Sequence, residues 1–94
     1  MAIELTDKVC VITGAGEGVG RGVALGFHRR GARSIAAVRS LEKSAAAVAP
    51  AWAVKLDVTK PAEVKSAVNE IVGRHGRIDV WINTPGIYPR QAAD

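Results

Sequence analysis

The sequence predicts an α/β fold: a parallel, doubly wound sheet with strand order 3-2-1-4, forming one partial domain over residues 1–94 that stops after a fourth strand. Three observations predict it. Four short apolar runs, opening at Val9, Ser34, Trp52 and Ile78, lack the polar alternation of a sheet with one wet face. The segments between them carry apolar residues at helical spacing, giving the order β-α-β-α-β-α-β. A cluster of glycines stands where the first strand must hand over to the first helix. Unalternated strands separated by helices describe a sheet covered on both faces and joined by right-handed crossovers.

Each element has its own signal. Residues 8 to 13 form the first strand, and Gly14, Gly16, Gly18 and Gly20 forbid its continuation. From Val19 a helix begins whose inner face is Gly20, Val23, Ala24 and Phe27, ending near Arg30 with Gly31 as the C-cap candidate. Gly22 and Gly26 inside it cost about 1 kcal/mol each relative to Ala, so either backbone packs closely there or the helix is weaker than it need be. Ser34 to Val38 is the second strand, followed by Arg39 and Ser40. Leu41 to Val48 is an alanine-rich helix stopped by Pro50. The third strand, Trp52 to Leu56, runs into Asp57-Val58-Thr59. Val64, Ala67, Val68, Ile71 and Val72 mark a helix opened by Pro61 and closed between Gly73 and Gly76, where Arg74 and His75 suit the negative end of the helix dipole. Ile78 to Ile82 is the fourth strand, broken at Asn83-Thr84-Pro85-Gly86.

Composition narrows the function. With 48 % apolar and 23 % charged residues the chain is globular rather than disordered. The net charge of +4 is spread from Lys8 to Arg90, and its one tight group, Arg29, Arg30 and Arg33, lies at a helix end where the dipole accounts for it, so no nucleic-acid partner is expected. Cys10 is the sole cysteine; neither a disulfide within the chain nor a thiolate metal site follows, which fits a reducing cytoplasm. Glu4 and Asp7 precede an apolar run of only four residues, and neither a leader nor a membrane span is expected. A sheet that ends at strand 4 exposes an edge, so self-association through that edge is expected.

The glycine turn carries the candidate chemistry. The general dinucleotide pattern G-x-G-x-x-G fits no register; the pattern present is Thr13-Gly14-x-x-x-Gly18-x-Gly20. Gly14 permits a sharp exit from the strand, Gly18 lets backbone approach an anion, and Gly20 lets the helix lie close to the sheet. Backbone N–H groups and the positive end of a helix dipole meet there, which suits a pyrophosphate. In this strand order Gly14, Gly16, Glu17, Gly18, Val19 and Gly20 converge with Arg39, Asp57 and Asn83 at the carboxyl ends of the strands.

Thr13-Gly14-x-x-x-Gly18-Val19-Gly20, Asp57-Val58-Thr59 and Asp79-Val80-Trp81-Ile82-Asn83-Thr84-Pro85-Gly86, in this order, resemble the N-terminal half of a short-chain dehydrogenase/reductase. The resemblance covers essentially the whole chain. It implies a Rossmann fold that binds a nicotinamide dinucleotide, with Asp57 near the adenine amino group, Val58 beside it through its backbone and Asn83 near the adenosine-side ribose. In the family an acid at the position of Val38 binds the ribose hydroxyls of NAD. This chain has none there, and Arg39 and Ser40 follow instead, which favours NADP(H) over NAD(H). Glu17 opposes that preference with a negative charge near the same end of the cofactor. The family usually shows Asn-Asn-Ala-Gly where this chain has Asn83-Thr84-Pro85-Gly86, so Pro85 removes a backbone donor and Thr84 an amide.

The family's catalytic Asn, Ser and Tyr-x-x-x-Lys have no counterpart in these residues. Tyr88 is followed four positions on by Ala92 rather than lysine, His28 and His75 stand on helix ends, and no metal-ligand set is present. No catalytic residue is assigned. The expectation is a cofactor-binding half without turnover of its own; the alternative is a non-catalytic dinucleotide-binding or interaction module completed by a partner chain.

Overall fold

Seven elements follow one another in the computed structural model, which describes residues 5–16 and 18–84: β1 (Val9–Thr13), α1 (Gly18–Arg29), β2 (Arg33–Val38), α2 (Leu41–Val48), β3 (Trp52–Lys55), α3 (Pro61–His75) and β4 (Val80–Asn83). The strands form one parallel sheet in the order β3-β2-β1-β4, with Val11 paired to Ile35 on one side and Trp81 on the other. This is the doubly wound arrangement the sequence predicts. Every residue of β1 is buried, as a central strand covered on both faces requires.

Two cores flank the sheet. Val9, Val11, Ile35, Ala37, Val54 and Leu56 point to the α3 side, where they meet Ala67 and Ile71. Cys10, Ile12, Ala36 and Val38 point the other way, toward Ala24 of α1 and Val48 of α2. The alternation along β1 therefore separates two apolar faces rather than a dry face from a wet one. Ser34, the polar member of β2's buried run, donates its hydroxyl to the Ala24 carbonyl at 2.7 Å and so ties α1 to the sheet.

Element boundaries shift by a residue or two from the sequence expectation. Strand β4 opens at Val80 rather than Ile78, because Asp79 caps the pairing with its side chain: its carboxylate accepts the Val9 N–H at 2.8 Å, where a ladder carbonyl would otherwise stand. It extends to Asn83, paired with Thr13. Leu56 falls just beyond β3 yet keeps a 2.8 Å bond from its amide to the Val38 carbonyl and stays buried.

Helix ends behave as their residues dictate. Pro61 sits in the first turn of α3, and Gly76 closes it in the left-handed region at φ 86°. Gly31, at φ 89°, turns the chain after α1, and Arg30 reaches back to the Gly26 carbonyl at 3.4 Å. The two glycines inside α1 are resolved in favour of weakness. A Cβ at Gly22 would meet nothing within 4 Å, and one at Gly26 only the Arg30 guanidinium at 3.8 Å. His75 departs from the role expected of it. Its ring packs edge-on against Trp52 at 5.2 Å, and burial, with the charges of Arg33 and Arg74, pushes its pKa down, which disfavours the charged form that would serve the dipole.

Candidate functional site

At the carboxyl ends of the strands the chain leaves a cleft of about 1010 Å³, large enough for a cofactor-sized ligand. Strand β1 delivers the glycine turn to its floor. Gly14 and Gly18 adopt positive φ of 65° and 62°, conformations that L-residues with side chains rarely hold. The Ala15 amide is spent on the Ala37 carbonyl at 3.2 Å, which fixes the turn against β2. Helix α1 then starts at Gly18 with no acid in its first turn, leaving the early N–H groups without intrahelical acceptors.

The four glycines do different work. A Cβ on Gly20 would collide with the Gly14 carbonyl and stand 2.8 Å from the Thr84 hydroxyl, so Gly20 serves the closure of the turn on itself more than the approach of helix to sheet. At Gly14 a Cβ would likewise meet Thr84 Oγ1 at 2.8 Å, and at Gly16 it would meet Ser44 Oγ at 2.7 Å. Gly18 is the exception: among the described residues nothing lies within 4 Å of where its Cβ would be. The turn is packed from behind and open in front, as a cradle for an anion must be.

The opposite wall comes from the ends of β2 and β3. Arg39 is 80 % exposed at its side chain, and its guanidinium stands 3.9 Å from Asp57 Oδ2, a separation at which an exposed pair contributes little and leaves the cation free to engage a ligand. Ser40 is the N-cap of α2, its oxygen accepting from the Lys43 amide at 3.3 Å while its own proton remains to be donated. Asp57 Oδ1 accepts from the Thr59 hydroxyl at 2.6 Å and the Thr59 amide at 3.0 Å, and these bonds, ahead of Arg39, hold its carboxyl below the usual range. Its own amide donates to Glu63 Oε1 at 3.0 Å, fastening the loop after β3 to the first turn of α3.

Of the residues singled out in the sequence, Gly14, Gly16, Gly18, Val19, Gly20, Arg39, Ser40, Asp57 and Val58 line this cleft together. Glu17 lies outside the described residues, as do Pro85, Gly86 and Tyr88. Asn83 stands apart from the lining: its Oδ1 accepts from Thr13 Oγ1 at 3.1 Å and from Trp81 Nε1 at 3.0 Å. Thr59 and Thr84, noted in the sequence as parts of their motifs, also line the cleft, as do Lys43 and Ser44, which were not singled out. Lys43 and Ser44 follow the cap Ser40 by three and four residues, the spacing that puts them on one helix face, so a signal for them existed. Thr84 stands out in the sequence only as the loss of the family's amide; its bonds to carbonyls some seventy residues away carry no sequence signal.

The matches with known proteins agree with this fold. The family model described as short chain dehydrogenase matches residues 8–94, and the chain belongs to that oxidoreductase family. Galactitol 2-dehydrogenase of Agrobacterium fabrum is 40 % identical over 90 residues, covering 92 % of this chain and 35 % of that protein. Among solved structures, ribose-5-phosphate isomerase from Brucella melitensis 16M superposes with a TM-score of 0.81 at 37 % identity, over 89 % of this chain and 33 % of the other. The 3-ketoacyl-(acyl-carrier-protein) reductase from Brucella melitensis, solved with NADH, gives 0.74 at 35 % identity over 83 % and 34 %. The chain spans about a third of the length of the curated relatives it matches.

Proposed function

We propose that this chain is the cofactor-binding part of an oxidoreductase that takes NADP(H) in preference to NAD(H), and that the whole protein exchanges a hydride between the nicotinamide and a carbonyl or alcohol. The observation that carries it is the meeting, in one cleft, of an anion cradle and an exposed guanidinium, only loosely paired with Asp57, at the end of a β2 that lacks an acid. Amides of the glycine turn and of the α1 N-terminus would hold the pyrophosphate, with Gly18 giving it room. Arg39, supported by Ser40 and by Lys43, would take the 2′-phosphate. Asp57 and the Val58 backbone would face the adenine, and Asn83 would act at the end of β4 near the ribose. Glu17 adds a negative charge at the glycine turn that reduces the preference. Hydride transfer is the cofactor's chemistry, and we assign no catalytic residue within 1–94.

Titration of NADPH and NADH into the purified chain tests this. A phosphate gripped by charge-assisted bonds, screened at an exposed site, gives an expected preference for NADPH of roughly tenfold to a hundredfold. Arg39→Ala loses NADPH affinity and keeps that for NADH; an unchanged ratio overturns the specificity, and binding of neither cofactor overturns the function. The lone, buried Cys10 suits a cytoplasmic setting. A weak dependence of NADH affinity on salt would accord with a nucleotide site rather than a nucleic-acid surface.

A second reading concerns the sheet edge. Val80, Trp81 and Ile82 are only half-buried, whereas their β1 partners Cys10, Val11 and Ile12 are fully buried, and β4 lies at the end of the strand order. On this reading the chain is a module whose sheet a further strand completes, supplied by a second copy or another chain. Sedimentation velocity across a concentration series is expected to show association; a single sharp monomer throughout rules out the second copy.

A further inference from the structure

We infer that Thr84 is a positioning residue for the glycine turn, a hydroxyl latch that holds the cradle in its ligand-ready shape from the end of the neighbouring strand β4. Its Oγ1 donates to the Thr13 carbonyl at 2.6 Å and lies 3.4 Å from the Gly14 carbonyl. These are the last carbonyl of β1 and the first of the turn, the point where the chain leaves the ladder at positive φ. The same oxygen stands 2.8 Å from where a Cβ would be on Gly14 and on Gly20. Thr84 therefore fills the space those glycines leave and gives a donor to a carbonyl at the point where the β1 ladder ends. Position, size and polarity all point to one side chain of threonine size with a hydroxyl.

The neighbouring contacts show why the latch acts on the turn rather than on the sheet. Pairing of β1 with β4 is already complete at Thr13 and Asn83, and Asn83 Oδ1 holds the Thr13 hydroxyl at 3.1 Å. Removing the Thr84 hydroxyl leaves that pairing in place and loosens the turn where it leaves β1, with the bond from the Ala15 amide to the Ala37 carbonyl as its remaining tie to the sheet. Because the amides of that segment are what the proposed dinucleotide would meet, the latch's effect on affinity rests on the cofactor reading above; its effect on the turn does not.

The test compares Thr84→Val, which keeps the shape and removes the donor, with Thr84→Ser, which keeps the donor. Amide hydrogen exchange reads the turn directly. In Thr84→Val, exchange at Ala15, whose amide is bonded to the Ala37 carbonyl, is expected to quicken about tenfold, the equivalent of one hydrogen bond's net worth, while Ala67 and Ile71 of α3 stay protected. Thr84→Ser is expected to restore protection to within about twofold. Unchanged exchange in Thr84→Val, or equal quickening in α3, overturns the latch. In parallel, NADPH affinity measured well below the unfolding midpoint is expected to fall about tenfold in Thr84→Val and to recover in Thr84→Ser. An unchanged affinity overturns the positioning role. Failure of the wild type to bind any dinucleotide overturns the cofactor reading instead, and the exchange experiment still decides the latch.

Discussion

The Val9 amide donates to Asp79 Oδ2 at 2.8 Å, and the Asp79 amide returns a 2.8 Å bond to the Val9 carbonyl, so two residues seventy positions apart close the lower end of the β1–β4 pair. Arg77 secures the same carboxylate through Nε at 2.8 Å and donates to the Asp7 carbonyl at 3.0 Å. The Val9 amide first, and Arg77 second, hold the Asp79 carboxyl below its ordinary range. A carboxyl whose folded pKa is depressed contributes stability that is complete above its unfolded value, near pH 4, and is lost as pH falls through the folded value. Glu63 and Asp57 are shifted the same way by their own hydrogen bonds. The melting temperature is therefore expected to fall steeply on acidification below about pH 4.5. Asp79→Asn should melt lower than wild type at pH 7 and show a shallower acid limb, and parallel acid limbs would exclude Asp79 as a contributor.

How much of this was legible in the sequence depended on range. The two-faced burial of β1 follows from short apolar runs, which are local signals, and the convergence of Gly18, Arg39 and Asp57 follows once the usual strand order of a doubly wound sheet is adopted. The cap formed by Asp79, the bonds between Asn83, Thr13 and Trp81, and the Thr84 hydroxyl joined to β1 depend on which atoms meet after the sheet is assembled. His75 is a related case: its place in the last turn of α3 suggests a dipole partner, and only packing against Trp52 shows the burial that disfavours its charged form.

The contrast between Gly18 and Gly20 yields a second expectation. Gly20→Ala sets a methyl against the Gly14 carbonyl and should destabilise by about 1–3 kcal/mol, the usual cost of overpacking a site with no room to relax. Gly18→Ala meets open space but sits at φ 62°, so its cost should be about 1–2 kcal/mol from backbone strain alone. Urea unfolding of both variants distinguishes them from a neutral pair. Dinucleotide affinity should fall in Gly18→Ala under conditions where the variant is fully folded.

His75 gives a third expectation, in a different pH range. Burial foremost, then Arg33 and Arg74, push the imidazole pKa down, and its Nδ1 is shut from solvent with no hydrogen-bond partner among the described residues. Between the unfolded value, near 6.5, and the lower folded one, the unfolded chain binds more protons, so stability rises with pH there. It is complete above about pH 6.5 and declines as pH drops below it. His75→Phe keeps a ring against Trp52 and removes the titration; it should flatten the melting temperature between pH 7 and 5 relative to wild type. Retention of the full wild-type slope would assign that slope to another group.

The last expectation comes from α1, where the chain spends stability without an evident structural return. Gly22 is exposed and Gly26 half-buried, neither adopts positive φ, and an added methyl finds either nothing within 4 Å or an ordinary 3.8 Å contact with a flexible guanidinium. Alanine at both positions relieves the backbone entropy that glycine loses in a helix, about 1 kcal/mol each, acting mainly through the unfolded state. The sites lie one turn apart and point away from the sheet's two cores, so the gains should be nearly additive, totalling about 1–2 kcal/mol. For a domain of this size that corresponds to a rise of roughly 4–8 °C in melting temperature per kcal/mol. Gly20 in the same helix is the internal control, since the identical substitution there should lower the melting temperature. Thermal unfolding of the Gly22→Ala, Gly26→Ala and double variants measures this. A loss of stability at Gly26 would mean that its backbone meets something the present packing does not include, which in this fold would be a partner seated on the outer face of α1.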